Sequence, residues 1–489
     1  MTATAAPPPR TAPAGLVALR DVPSLETPTI LDWHRRHLNP ALIDLMALGG
    51  YDQVRIARAE GPYLYTHDGR KLLDLVSSYG ALNFGHNHPR LLAAARWFDA
   101  QLQPDLLKEF PSPYTGALAH NLASIAPEGL ETAFFCNSGA ESIEGAMKLA
   151  LRSFGGARDR FAYARDSLHG KTLGTLSITG REKYREHVRR FEDWPMVDFG
   201  DIASLEAVLG ADRERRIAAL VLEPIQGEGG VVVPPPGYLA AARELTRRHG
   251  ALLIADEVQT GFGRTGSMFR CQAEGVVPDI LCVAKSLGGG VATIGATLTR
   301  PELWRQAYGK INHCLVHTST FGGRARSCAL AIEAVAVTCE EDLPGRAAEL
   351  GAWLRVELER LREKYPRQIT GVRGAGLMLG LELAVPRLDG LATPLGVAGL
   401  NRILESYFPG IVGAELLARH DIVASFVLNN PRVLRLYPAL VATRADLERI
   451  PIALDAVFAR GVNALVAERV AHVVRHAGPG ALARWLRDW

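Results

Sequence analysis

The 489-residue sequence is poor in cysteine, and none of its six cysteines forms a C-x-x-C pair. Cys136, Cys271, Cys282, Cys314, Cys328 and Cys339 are scattered, which argues against a zinc site and reads as free thiols in a reducing cytoplasm. No run approaches the roughly 18 apolar residues needed to span a bilayer. There is no dense Lys/Arg block either, and the formal net charge is only +3. Neither nucleic acid nor an anionic membrane is therefore expected as a partner. The opening MTATAAPPPRTAPAG lacks the apolar core of a signal peptide, so residues 1–27 read as a disordered leader. What remains is ordinary for a soluble globular protein: 48% hydrophobic and 22% charged residues. The length suggests two or three domains.

Residues 28–74 read as one or two helices ending at Gly49-Gly50, then a hairpin around the turn dipeptide Asp68-Gly69. Between 75 and 335, strand and helix patterns alternate. Thr132–Cys136, 218–224, 251–258 and 280–286 are apolar without polar alternation, and helical patterns follow Ser138 and Gly237. Such strands separated by helices predict a largely parallel α/β sheet covered on both faces. From 336 to 489 the pattern changes to a smaller α+β unit, with strands near Met378–Leu383, Ile422–Phe426 and Val433–Tyr437. A long helix then starts at Thr443, where Asp446 makes a variant capping box.

Ligands in such sheets bind at the carboxyl ends of strands, and four strand ends carry polar residues. Cys136-Asn137-Ser138-Gly139-Ala140-Glu141 turns from strand into helix, where backbone N–H groups and the helix dipole suit a phosphate. Alone, it is more simply an N-cap. Glu223 is followed by a Gly-rich loop holding Gln226 and Glu228. Asp256 ends the buried strand ALLIA, where a carboxylate is costly unless a cation meets it. Lys285 ends ILCVA, and a lone lysine there is usually just solvated. Together they say more. Asp256 and Lys285 lie 29 positions apart, each ending an apolar strand, with the phosphate-type turn upstream. Pyridoxal phosphate needs an anion site, a carboxylate beside its ring nitrogen and an amine for its aldehyde. The carboxylate keeps the ring protonated, and the displaced lysine serves as a base.

The stretches FGHNHP (84–89), FFCNSGAESIEGAMKLA (134–150), LHGKTLGTLS (168–177), LEPIQGEGGVVVPPPGYL (222–239), ADEVQTGFGRTG (255–266), PDILCVAKSLGGG (278–290), HTSTFGG (317–323) and RLYPAL (435–440) occur in order. With them the chain resembles the class III (subgroup II) aminotransferases, fold-type I pyridoxal-phosphate enzymes, from about Trp33 to Val457. Within that family the likeness is to putrescine aminotransferase, then to the acetylornithine, ornithine and 4-aminobutyrate members. The resemblance implies that Lys285 is the Schiff-base lysine and Asp256 the partner of the ring nitrogen. It implies that Val258 packs on a ring face and Gln259 approaches the ring hydroxyl, while Ser138, Gly139 and Ala140 hold the phosphate. Leu168 and His169 belong to the same cofactor-binding set. Thr320 would reach the phosphate of the neighbouring subunit in a homodimer. Arg435 would receive a substrate carboxylate, Glu228 would pair with it, and Tyr79 would stand on the substrate side. The implied reaction moves an amino group between a terminal primary amine or ω-amino acid and a keto acid, 2-oxoglutarate or pyruvate. An acetylornithine/ornithine-type enzyme, a biosynthetic aldehyde transaminase, an aminomutase and a decarboxylating relative share the core residues.

Two positions depart from the family pattern. Leu168 stands where an aromatic residue normally stacks on the ring, and Arg324-Ala325 replaces Asn-Pro after HTSTFGG. Residues 389–413 also fit poorly, and substrate entry could be shaped there. Three rivals are weaker. Gly261-Phe262-Gly263-Arg264-Thr265-Gly266 matches a dinucleotide fingerprint, but five residues separate it from its strand, and Gly275 and Pro278 interrupt the helix that should follow. His86 and His88 lack the acid or cysteine cluster that a metal site needs. A catalytically silent scaffold would not keep Lys285, Asp256 and Gln259 together.

Overall fold

The computed structural model describes residues 15–191, 194–386, 397–472 and 475. A 3-10 turn at Leu19–Ser24 precedes helices Thr27–His37 and Pro40–Gly49. Asn39 caps the second helix by accepting the Leu42 N–H, and Gly50, with φ +75°, ends it. Strands β1 (Ile56–Glu60), β2 (Tyr63–Thr66) and β3 (Lys71–Asp74) follow as antiparallel neighbours, the last two joined across Asp68-Gly69.

The central sheet holds β4 (Thr132–Cys136), β5 (Arg160–Ala164), β6 (Met196–Val197), β7 (Ile217–Leu222), β8 (Leu252–Asp256), β9 (Ile280–Val283) and β10 (Gly295–Thr299). Their order is β4-β10-β9-β8-β7-β5-β6. Strands β5 to β9 pair in parallel, and β10 runs antiparallel to both its neighbours. Side chains alternate across a strand, and here both faces are apolar. Leu220, Leu253 and Leu281 enter one core, with Leu122, Leu245 and Ala331 from helices. Val221, Ile254 and Cys282 enter the other, with Ile143, Met147 and Leu303. This double covering is what leaves only the strand ends for chemistry.

A second sheet, β11 (Ile369–Ala375), β12 (Met378–Leu383), β14 (Ser425–Phe426) and β15 (Val433–Leu436), has the order β11-β12-β15-β14. The strand expected over Ile422–Phe426 is split. Its first half, β13 (Ile422–Val423), pairs in parallel with β3, and its second half is β14. The chain changes sheets at Ala424, which ties the N-terminal strands to the C-terminal part. Residues 397–413 of the poorly fitting stretch belong to helix Val397–His420, and 389–396 lie outside the described residues. The Thr443–Asp446 capping box is present in both directions.

The GFGRTG stretch does not cradle a dinucleotide. Arg264 is fully buried there, donating to Asn83 Oδ1 and to the carbonyls of Leu377 and Pro438. The helix that follows is the four-residue Arg270–Ala273. These glycines seat an arginine that bonds the C-terminal part to the central one.

Candidate active site

The ends of β4, β8 and β9 converge on a cavity of about 680 Å³ whose walls include Gly139, Ala140, Leu168, Asp256, Val258 and Lys285. Ser138, His169, Glu223 and Gln259 line it as well. At one end, helix Gly139–Ser153 begins. Ser138 caps it by accepting the Glu141 N–H, and Asn137 is held by Glu141 and Ser319. A Cβ on Gly139 would lie 2.8 Å from Val258 Cγ1, so only glycine lets the helix start this close to the end of β8.

At the other end two acids and a histidine interlock. Asp256 Oδ2 lies 2.8 Å from His169 Nδ1, and Oδ1 accepts the Val258 N–H at 3.1 Å. Glu223 Oε1 accepts the N–H of Leu168, and Oε2 that of Gly227. Burial, joined by the charge of Asp256, pushes Glu223 up to about 7, against the pull of His169 and the two backbone donors. His169 Nε2 is buried with no hydrogen-bond partner among the described residues.

Lys285 adopts φ +46°, a left-handed conformation that costs a non-glycine residue roughly 1–2 kcal/mol. Its amine is held below the ordinary lysine range. Burial is the largest influence and Arg435 adds to it, while Asp256, Glu228 and Glu223 pull the other way. A second left-handed stretch faces it. Ser77, Ser78, Tyr79 and Gly80 all have positive φ. Asp74 caps the stretch by accepting the N–H groups of Val76 and Ser77, and the Ser286 hydroxyl donates to the Gly80 carbonyl. The strained lysine and the strained turn are thus stitched together at adjacent residues.

That turn places Tyr79 with its ring centroid 4.7 Å from the Arg435 guanidinium, and Tyr437 lies 5.1 Å away. Arg435 is fully buried and donates through Nη2 to Glu228 Oε1 at 2.5 Å. Its Nε and Nη1 have no partner among the described residues. Glu228 also accepts the Gln259 amide at 3.3 Å and the Leu428 N–H at 3.2 Å. Burial alone would raise its pKa, but Arg435, that N–H and Lys285 bring it below the usual carboxylate value. Gln259 lies between this pair and the cavity, its Oε1 accepting from Tyr437. Gly227 makes room for it, since a Cβ there would overlap the amide.

The structure therefore gathers most of the residues singled out in the sequence, though in two layers. Glu228, Arg435 and Tyr79 sit together behind Gln259 and do not form the cavity wall. Thr320 is exposed and is not a wall residue. Arg324 bonds Asp105, and the Ala325 N–H donates to the Asp105 carbonyl, so an ion pair and a backbone bond set the turn where Asn-Pro was expected. His86 bonds Asp74 and His88 approaches Glu341, and no metal-holding cluster exists among the described residues. Sequence reasoning assigned no role to Glu223 or Tyr437. The signal for Tyr437 was its spacing, two residues from Arg435 on one strand face.

These features suit pyridoxal phosphate. The cavity holds an orphaned buried imidazole nitrogen, a glycine that a Cβ would push away, a helix start for an anion, and a carboxylate opposite an amine. Such a site at the carboxyl ends of a mostly parallel sheet is that of a fold-type I pyridoxal-phosphate transferase. Residues 48–454 match the class-III aminotransferase family model. The chain belongs to the class-III aminotransferases, whose cofactor is pyridoxal phosphate and whose chemistry is amino-group transfer. Aminotransferase PigE of Serratia sp. (strain ATCC 39006) is 38% identical over 471 residues, covering 89% of this chain and 54% of that protein. The chain thus spans about half the length of this curated relative. Ornithine aminotransferase from Toxoplasma gondii ME49 superposes with a TM-score of 0.77 at 30% identity, over 90% of this chain and 97% of that one. An (S)-enantioselective omega-transaminase from Thermomicrobium roseum gives a TM-score of 0.78 at 29% identity, over 88% and 98%.

Proposed function

We propose that this chain moves an amino group between a terminal primary amine or ω-amino acid and a keto acid such as 2-oxoglutarate or pyruvate. The observation that carries this reading is the buried Glu228–Arg435 pair beside Lys285, with Tyr79 and Tyr437 against the guanidinium. A fully exposed arginine would favour a carboxylate substrate and penalise a donor end without one. An arginine neutralised by Glu228 accepts the uncharged end, because its charge stays paired. When a carboxylate arrives, the guanidinium fork has two idle nitrogens to offer it. An ornithine- or acetylornithine-type donor falls within this reading, and amination of an aldehyde is its reverse.

When bound, pyridoxal phosphate supplies a carbonyl for the amine and a ring that accepts electrons from a breaking C–H bond. Lys285 Nζ would hold it covalently and, once displaced, take and return the proton at the substrate carbon. An amine whose pKa burial has lowered is poised for that exchange. Asp256, oriented by His169 and the Val258 N–H, would keep the ring nitrogen protonated. The N–H groups of Gly139 and Ala140, with Ser138, would take the phosphate. Val258 and Leu168 would flank the ring, and Gln259 would reach its hydroxyl.

A homodimer completes the proposal. Lys108 donates to the Gly322 carbonyl and Asp105 bonds Arg324, so segments 102–110 and 315–324 lie side by side. Leu102, Phe110, Leu315 and Phe321 are exposed there, beside Thr320. An apolar surface of this kind marks an interaction site, and a second copy covering it would bring Thr320 to the neighbouring phosphate. The free thiols of the six cysteines support a cytoplasmic setting.

Single-turnover half-reactions test the substrate reading. Arg435→Lys loses the two-pronged grip, so the 2-oxoglutarate half-reaction should weaken by roughly tenfold or more while amine use changes little. Glu228→Gln leaves Arg435 charged and unpaired, so the amine half-reaction should be the one that suffers. Equal losses in both halves would show that the pair is only structural.

A further inference from the structure

We propose that the chain carries a second binding site, for a small multivalent anion, where its N-terminal segment meets its C-terminal helices. A pocket of about 460 Å³ there shares no wall residue with the active-site cavity. Arg55, His67 and Arg70, each next to an end of an N-terminal strand, line it from one side, and Arg469 and His472 from the helix Val462–His472. Thr27, Arg469 and His472 fall outside the family-model span of 48–454, so this pocket depends on parts of the chain that the shared domain does not supply.

The three guanidiniums differ in how they are satisfied. Arg70 is spent, because it donates to Asp421 at 2.8 Å and to the Leu417 carbonyl. Among the described residues Arg55 bonds only the Pro23 carbonyl, at 3.3 Å. Arg469 bonds, among the described residues, only the Ala47 carbonyl, at 3.0 Å, and its Nε is buried without a partner among them. Among the described residues neither Arg55 nor Arg469 has a carboxylate in ion-pair range. Acids are near but engaged. Asp52 accepts from Gln53, Glu415 is held by Arg419 and Arg460, and Asp68 accepts from Thr66. Burial presses the Arg469 guanidinium below its ordinary pKa, against the pull of Tyr407, Asp52, Tyr51 and Glu415.

A half-buried cation that ignores two nearby acids is a poor structural arginine. Its unmet need is an anion, since a guanidinium without one leaves its desolvation uncompensated. The volume exceeds that of one phosphate, and Arg55 and Arg469 offer two separate anchors. The ligand class is therefore a molecule with two or more adjacent oxyanions, either a phosphate ester or diphosphate, or a di- or tricarboxylate.

Calorimetry and thermal shift on the full-length, cofactor-loaded protein would test this, with pyrophosphate and citrate as separate probes. One salt-sensitive site per chain is expected, with a rise in Tm that grows with ligand concentration. The probe that binds tighter tells phosphate from carboxylate chemistry. Arg469→Gln and Arg55→Gln should each weaken binding by about tenfold or more, whereas Arg36→Gln, an exposed arginine paired with Asp32, should not. Because Arg55 packs less deeply, its variant keeps the test open if Arg469→Gln folds poorly. No binding of either probe, or binding unchanged in both variants, would overturn the proposal.

Discussion

Around Asp256 both carboxylate oxygens have partners, and so do both oxygens of neighbouring Glu223. Around Arg435 two of three guanidinium nitrogens are buried with none among the described residues, and Tyr79, one of the two tyrosines against it, is nearly half exposed. Both regions are buried and charged, yet the carboxylates of the first are saturated, His169 Nε2 apart, and the guanidinium of the second is not. A saturated network holds a group in one orientation through both halves of a reaction. An unsaturated one leaves hydrogen-bonding capacity for a ligand present only half of the time. Strain is distributed in the same sense. The left-handed residues Lys285 and Tyr79 belong to segments joined through Ser286 and Gly80, one beside each region.

The contrast is sharpest for substitutions at the saturated end, which should damage both half-reactions alike. Lys285→Ala has the largest expected effect. Loss of the proposed proton-transfer role alone should cost roughly 10²–10⁴-fold, and the visible absorption of a lysine-held cofactor should vanish with it. Steady-state turnover and a spectrum of the purified protein check both. If borohydride fixed the cofactor to a different lysine, the assignment would be wrong.

Asp256→Asn comes next. It keeps the size and can keep the His169 contact, but it removes the charge proposed to hold a ring proton. Each tenfold loss of rate corresponds to about 1.4 kcal/mol, and roughly two such steps are expected in each half-reaction. A loss confined to the keto-acid half would break the distinction drawn here, because it would make Asp256 part of substrate recognition.

The strand ends were readable because a parallel sheet covered on both faces writes each strand as an apolar run, and a polar residue at its end stands out. That placed Asp256 and Lys285. The partners were harder, because a contact between distant positions leaves no local trace. His169 meets Asp256 across 87 positions, and Arg435 meets Glu228 across 207. Family resemblance supplied the second pairing, and no residue pattern alone would have. The left-handed turn at Ser77–Gly80 was invisible for a related reason. Serine and tyrosine do not favour that conformation, and it persists because Asp74 and Ser286 hold it from outside. Strand β10 carries no mark of its antiparallel direction, and β13 and β14 read as one strand because the change of sheet at Ala424 needs no proline or glycine.

The smallest effect should come from Glu223, and it tests whether the saturated end owes its stability partly to a proton. This carboxyl is raised from an ordinary 4.5 to about 7 by burial and by Asp256. A raised folded-state value means that the native chain binds the proton more tightly than the unfolded chain. The resulting stabilisation is fully present below about 4.5 and is lost as pH rises through about 7. Glu223→Gln removes the titration. It also turns an amide NH₂ toward the N–H of Leu168 or Gly227, which should cost roughly 1–3 kcal/mol. The variant should therefore melt below the wild type at pH 5, and the gap should narrow by pH 8, because only the wild type loses the proton-linked part. Melting temperatures of the two cofactor-loaded proteins across that range decide the matter. A gap that stays constant or widens would mean that Glu223 is ionised throughout, leaving Asp256 beside a permanent negative charge.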